Sequence, residues 1–172
     1  MPVPIHMPAS DQGASRDRYM LIPRVLILVT RGTRVLLLRG SPTKRLWANR
    51  YNGLGGHVEP GEDILFAARR ELLEEAGLTA DLWLCGTIVV DTGQNPGIGI
   101  FVFTGECQQG EPRSSPEGTL HWMNIDEVSS LPGVEDLPAV VSRIQGMKRG
   151  DPPFAARSYY EAEGRLYVEF AD

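Results

Sequence analysis

The chain has 172 residues, a length that suits one domain with a single core. Hydrophobic residues make up 42% and charged residues 23%, ordinary values for a soluble globular protein. The net charge of -5 argues against a general nucleic-acid or membrane-surface binder, which carries a basic excess, but leaves a small anionic substrate open because bound cations reverse the local sign.

Residues 1–17 are rich in Pro, Ser, Gly and Asp and are expected to form a mobile tail before a single domain over 18–172. The start MPVPIHMPASDQGAS lacks the basic and apolar blocks of a signal peptide. No apolar run approaches the ~20 residues that span a bilayer, so a cytoplasmic location is expected. Residues 24–30 and 34–39 are β-branched and leucine-rich runs separated by Gly32 and Thr33, and read as a hairpin. The polar stretch SPTKRLWANRYNG reads as a loop.

Ile64, Leu65, Ala68 and Leu72 recur at helical spacing and predict a helix over about 63–76. Asp63 suits the positive end of its dipole, and Gly77 a left-handed cap. Strands are predicted over 82–91, 97–107 and 119–123, a second amphipathic helix over 137–148, and a final hairpin turning at Glu163-Gly164. Crossovers of the strand–helix–strand kind are few, so an α/β fold with a mixed sheet and helices on both faces fits best. Cys85 and Cys107 lie in apolar runs without zinc-ligand spacing and read as reduced core thiols.

The first helix raises a physical question. Glu71, Glu74 and Glu75 stand at i, i+3 and i+4 and share a face, where like charges repel. Glu75 falls at the edge of the apolar stripe, and a partly buried carboxylate cluster needs a cation. Arg69 points away from Glu75. Oxygen-only ligands favour Mg²⁺, with Mn²⁺ as a substitute, over zinc. Gly53, Gly55, Gly56 and Gly61 let the preceding loop turn tightly and bring a backbone carbonyl against a metal or phosphate. Such a unit suits metal-assisted phosphoryl chemistry. The competing account is a solvated acidic helix with Arg–Glu pairs.

The spacing decides between them. Gly56, five residues, Glu62, seven residues, Arg70-Glu71-Leu72, one residue, Glu74-Glu75, one residue, Gly77-Leu78 resembles the Nudix box at every fixed position. A chance match in such a chain is on the order of 10⁻⁷. The resemblance implies an α/β/α sandwich and cleavage of a nucleoside diphosphate linked to another group. It implies that Glu74 and Glu75 are principal metal ligands, that the Gly55 carbonyl is a backbone ligand, and that Glu71 is a further ligand or base. Arg70 matches the arginine that orients the glutamates, and Glu62 a supporting carboxylate. The general base varies in the family; Glu71, Glu75 and the loop acid Glu117 are candidates here.

Substrate choice lies outside the box. Tyr51-Asn52-Gly53 resembles the approach to the box in MutT-type enzymes acting on oxidised purine nucleoside triphosphates, where the Asn enters the base pocket. Asn52 can pair with a purine edge, or only shape the turn before Gly53. Trp122 and residues 134–138 resemble the segment closing that pocket, with Asp136 as the base-facing carboxylate and Glu135 its competitor. Val25 stands where some purine triphosphatases have a polar contact. Arg39, Lys44 and Arg45 are phosphate candidates, although solvation is the favoured account of Lys44. His57, at a variable position of the box, reads as structural rather than catalytic, His6 and His121 have no partner visible in sequence, and Trp47, Trp83, Tyr159 and Tyr160 read as core or pocket-wall aromatics.

The resemblance therefore implies a Mg²⁺-dependent nucleoside triphosphate pyrophosphohydrolase. The alternatives are a hydrolase of ADP-ribose, a dinucleoside polyphosphate or another conjugate, and a noncatalytic nucleotide sensor, against which the intact box argues. The expected partner is a small nucleotide, not polymeric nucleic acid or a membrane, with the chain a monomer or homodimer.

Overall fold

Gly32, at φ 58°, turns the chain between β1 (Leu21–Arg31) and β2 (Arg34–Gly40), the hairpin expected from the two apolar runs. The computed structural model describes residues 8–172. Residues 1–7, with His6 and part of the expected tail, lie outside the described residues, and Ala9–Gln12 form a short 3-10 turn.

The two hairpin strands pair only near their turn, at Thr30↔Val35 and Arg31↔Arg34. Beyond it β2 leaves β1 and pairs along its length with β6 (Gly118–Asn124), while Leu38 and Arg39 pair with the short β3 (Tyr51–Asn52). The vacated edge of β1 is taken by the glycine-rich segment. The Val25 N–H donates to the Gly56 carbonyl (2.9 Å) and the Ile27 N–H to the Leu54 carbonyl (2.8 Å). This substitution of loop for strand positions the site.

On its other edge β1 runs parallel to β5 (Gly97–Glu106). β4 (Trp83–Asp91) is antiparallel to β5, β7 (Phe154–Tyr160) is parallel to β4, and β8 (Leu166–Phe170) closes the sheet antiparallel to β7. The order is β3-β2-β1-β5-β4-β7-β8, with β6 also on β2, so the sheet is mixed as expected. β3 lay inside the expected loop; two residues are too few to show a period.

Alternation along β1 sorts its side chains between two cores. Val25, Ile27 and Val29 pack with Ala67, Ala68, Leu72 and Ala76 of α1 (Ile64–Ala76). Leu28, with Leu26 partly buried beside it, faces the other way, toward Val140, Val141 and Ile144 of α2 (Leu137–Gln145). The result is the expected α/β/α sandwich. α2 ends at Gln145, three residues before the expected boundary, with Gly146 as its cap. Cys85 and Cys107 are free and buried, as expected.

Candidate active site

α1 is fixed at both ends by its own sequence. The Asp63 carboxylate accepts from the Leu65 (2.8 Å) and Phe66 (2.9 Å) N–H groups, satisfying orphan donors of the first turn. Gly77 takes φ 67° and donates its N–H to the Leu73 carbonyl. This sets the rotation of the helix. Leu72 and Ala76 go inward, and Glu71 and Glu75, one turn apart, face the segment beside β1.

Two glycines let that segment approach. A Cβ on Gly56 would overlap the Glu71 carboxylate. Gly55 has φ 146°, and a Cβ there would overlap the Val25 carbonyl oxygen of β1. A larger residue at Gly55 would have to move the strand, and one at Gly56 would have to displace the Glu71 carboxylate.

Arg70 organises most of the carboxylates. Its guanidinium donates to Glu62 (2.7 and 3.0 Å), Glu71 (2.9 Å), Glu74 (3.1 Å) and the His57 carbonyl (3.1 Å). The Glu62 carboxyl is held below its usual range, chiefly by the hydrogen bonds from Arg70 and then by the Glu59 N–H. These same bonds push the guanidinium pKa further up. The forked, always-charged side chain is suited to tying several carboxylates at once.

Glu75 is outside that arrangement. Its carboxylate accepts the Gly55 N–H (2.9 Å). Burial pushes its pKa up to about 7; the Gly55 hydrogen bond opposes the shift, Glu71 adds to it, Lys44 opposes it and Glu117 adds again. It is a half-buried acid poised near neutrality, the state expected of a proton acceptor or of a ligand awaiting a cation.

Glu71 and Glu75 form one side of a cleft of about 570 Å³. Asn52, Glu117 and, from the loop of residues 41–50, Lys44, Arg45, Leu46, Trp47 and Arg50 line it too. Lys44, expected to be solvated, instead pairs with Glu117 (2.7 Å), and both line the cleft. Asn52 lines it too, but its Oδ1 accepts the Gly53 N–H (2.8 Å), so the turn and the cleft share this side chain.

Several expected site residues are elsewhere. Leu38 and its partner Asn52 face the cleft, so the neighbouring pair Arg39 and Tyr51 faces the opposite side. Arg39 is exposed, and the Tyr51 ring meets His121 edge-on at 5.9 Å. Asp136 stands before α2, its pKa raised by burial and then by Glu135, and does not line this cleft. Glu135 instead accepts the Leu166 N–H of β8. Trp122 lies under Arg31 (4.3 Å). The cleft gains Arg24 and Arg50, which no motif singled out; Arg24 donates to the His57 ring (3.3 Å).

The donor set near Glu75 is hard oxygen: two carboxylates and main-chain groups of the glycine segment, chemistry that fits Mg²⁺ or Mn²⁺. Glu71 and Glu75 converge, whereas Glu74 is 60% exposed and turned to Arg70. Accordingly, among the described residues no three Asp, Glu, His or Cys side chains are already gathered for a metal. The half-buried Glu75 carboxyl, raised toward neutrality with no hydrogen-bonded cation among the described residues, is the feature that a divalent ion would compensate.

A family model described as the NUDIX domain matches residues 20–144. The chain is 41% identical over 105 residues to an oxidized purine nucleoside triphosphate hydrolase of Danio rerio, covering 60% of this chain and 66% of that protein. It is 34% identical over 119 residues to an NAD-capped RNA hydrolase, NudC, of Stutzerimonas stutzeri, covering 68% of this chain and 41% of the relative. Among solved structures, a mutator MutT protein from Bacillus halodurans superposes with a TM-score of 0.73 at 26% identity, covering 87% of this chain and 97% of that one.

Proposed function

The chain belongs to the Nudix family, and from that premise we propose that it is a Mg²⁺-dependent pyrophosphohydrolase of nucleoside triphosphates, oxidised purine nucleotides being the favoured class. The observation that carries the reading is Glu75, half-buried beside Glu71 with its pKa near 7, in a cleft that also holds Lys44, Arg50 and Asn52. Likeness to the zebrafish hydrolase supports the substrate class.

Nudix hydrolases generally depend on a divalent metal. When bound, the cation supplies Lewis-acid polarisation of a phosphoryl oxygen. Glu71, Glu75 and the Gly55 carbonyl are the residues that would hold it, with Glu74 joining if released by Arg70. The chain's own groups do the rest. A carboxylate, with Glu75, Glu71 and Glu117 as candidates, takes a proton from water. The water oxygen bonds to phosphorus, the bridging P–O bond breaks, and nucleoside monophosphate and pyrophosphate leave. Lys44 and Arg45, phosphate candidates from sequence, are joined in that role by Arg50 and Arg24, which stand in place of Arg39. Asn52 offers its amide to the base edge. Asp136, half-buried before α2 and outside this cleft, is given no base contact in this reading.

Product identity tests this. With Mg²⁺, the proposal expects nucleoside monophosphate and pyrophosphate by anion-exchange chromatography, and none with EDTA. Release of nucleoside diphosphate and orthophosphate contradicts it. A second reading, hydrolysis of a nucleoside diphosphate conjugate, is favoured by likeness to the NudC relative; preferential cleavage of NAD or ADP-ribose would select it.

A further inference from the structure

The cleft has an apolar half as well as an ionic one. Leu26, Leu38 and Ile100 of the strands line it together with Leu46 and Trp47 of the loop over residues 41–50. Trp47 is 41% exposed, and among the described residues it has no aromatic or cation–π partner. An indole left half in water at the mouth of a cleft lacks the burial that usually explains a tryptophan.

Its backbone is held in a strained form. Trp47 has φ 62° and Asn49 φ 59°, the left-handed region that bulky side chains rarely enter. Four main-chain hydrogen bonds impose it. Gly40 donates to the Arg50 carbonyl (3.0 Å) and accepts from Asn49 (3.0 Å), Arg50 donates to the Trp47 carbonyl (3.1 Å), and Ser41 donates to the Glu117 carbonyl (2.9 Å). Gly40 is required, because a Cβ there would press on the Trp47 carbonyl oxygen. The loop is thus a pinned arch. The same arch carries Lys44 and Arg45 toward the ionic half. Such strain persists where the surroundings over-determine it, commonly at ligand clamps.

We propose that Trp47 is the stacking platform for the nucleobase, with the heterocycle lying between its indole and the apolar strand wall, and the phosphates running toward Glu71 and Glu75. This rests on the reading of the cleft as a nucleotide site. An indole face binds any planar base, so Trp47 supplies affinity, while groups at the base edge supply choice.

The test uses the full chain with Mg²⁺ and two probes: an α,β-methylene analogue of dGTP, and inorganic tripolyphosphate, which has no base. The analogue should quench tryptophan emission, and Trp47→Phe should remove most of that quench while keeping affinity within about threefold, since phenylalanine still stacks. Trp47→Gly should weaken analogue binding by about ten- to hundredfold and leave tripolyphosphate binding unchanged. In turnover its KM should rise by a similar factor, with kcat nearly constant. Glycine adopts φ 62° without strain, so this variant should melt no lower than the parent. Unaltered analogue affinity and KM in Trp47→Gly, with hydrolysis intact, overturns the stacking alone. Failure of the parent chain to bind the analogue or to hydrolyse any nucleotide overturns the underlying reading.

Discussion

Glu74 and Glu75 are adjacent on α1 and have opposite surroundings. Glu74 is 60% exposed and paired with Arg70 at 3.1 Å. Glu75 is half-buried, and its hydrogen bond comes from the Gly55 main chain. The rotation of the helix, fixed by Asp63, Leu72 and Gly77, separates them by about 100°. The difference teaches that a shared sequence motif is not one electrostatic object. Arg70 and Glu62, Glu71 and Glu74 form an ionic scaffold. Glu75 is the group left in need of a cation or a proton.

The sharpest way to break that comparison is Glu75→Gln. Turnover should fall by about two or more orders of magnitude, the scale of losing a metal ligand or base, as measured in steady-state assays on the folded variant. The equivalent change at Glu74 should cost less, because Glu74 sits in the Arg70 cluster.

The pH dependence sharpens it without activity. In EDTA, the folded pKa of Glu75 lies at about 7 against an ordinary value of 4.5. The folded state then holds the proton more tightly than the unfolded state. The resulting stabilisation is full below pH 4.5 and is lost as pH rises through 7. Its full size is roughly 3 kcal/mol. Urea midpoints at pH 5 and 8 should show the loss in the parent chain and a flatter response in Glu75→Gln, which should be the more stable of the two at pH 8.

Arg70→Ala attacks the other half. It takes the shared partner from Glu62 and Glu71, whose side chains are only 9% and 14% exposed, and should lower the midpoint in urea titrations. Gly56→Ala is subtler. The added methyl displaces the Glu71 carboxylate, so turnover should drop roughly tenfold with a smaller change in melting temperature. Lys44→Met should have the smallest effect, a rise of a few-fold in KM, because its pair with Glu117 is part-exposed.

Much of this was legible from sequence. The apolar periods gave the hairpin, both helices and the final hairpin. The box placed Arg70, Glu71, Glu74 and Glu75 on one helix, and Glu62 reaches Arg70 as its match implied. What stayed hidden depended on pairing between distant segments. Whether Tyr51 or Asn52 faces the cleft is set by the register of β3 on β2, and a shift of one residue would exchange them. Arg39 turned away for the same reason. Lys44 is drawn to Glu117, more than seventy positions along the chain, by a loop whose main-chain bonds carry no periodic signal. The strained arch at Trp47 is likewise invisible in composition.

The most direct measurement is kcat/KM for a panel of normal and oxidised purine nucleoside triphosphates, ADP-ribose and a dinucleoside polyphosphate with Mg²⁺, in the parent chain and in Glu75→Gln. The account predicts highest kcat/KM for the oxidised purine triphosphates in the parent chain and a loss of about a hundredfold or more in the variant. A folded Glu75→Gln protein that turns over the same substrate at the parent rate would contradict it.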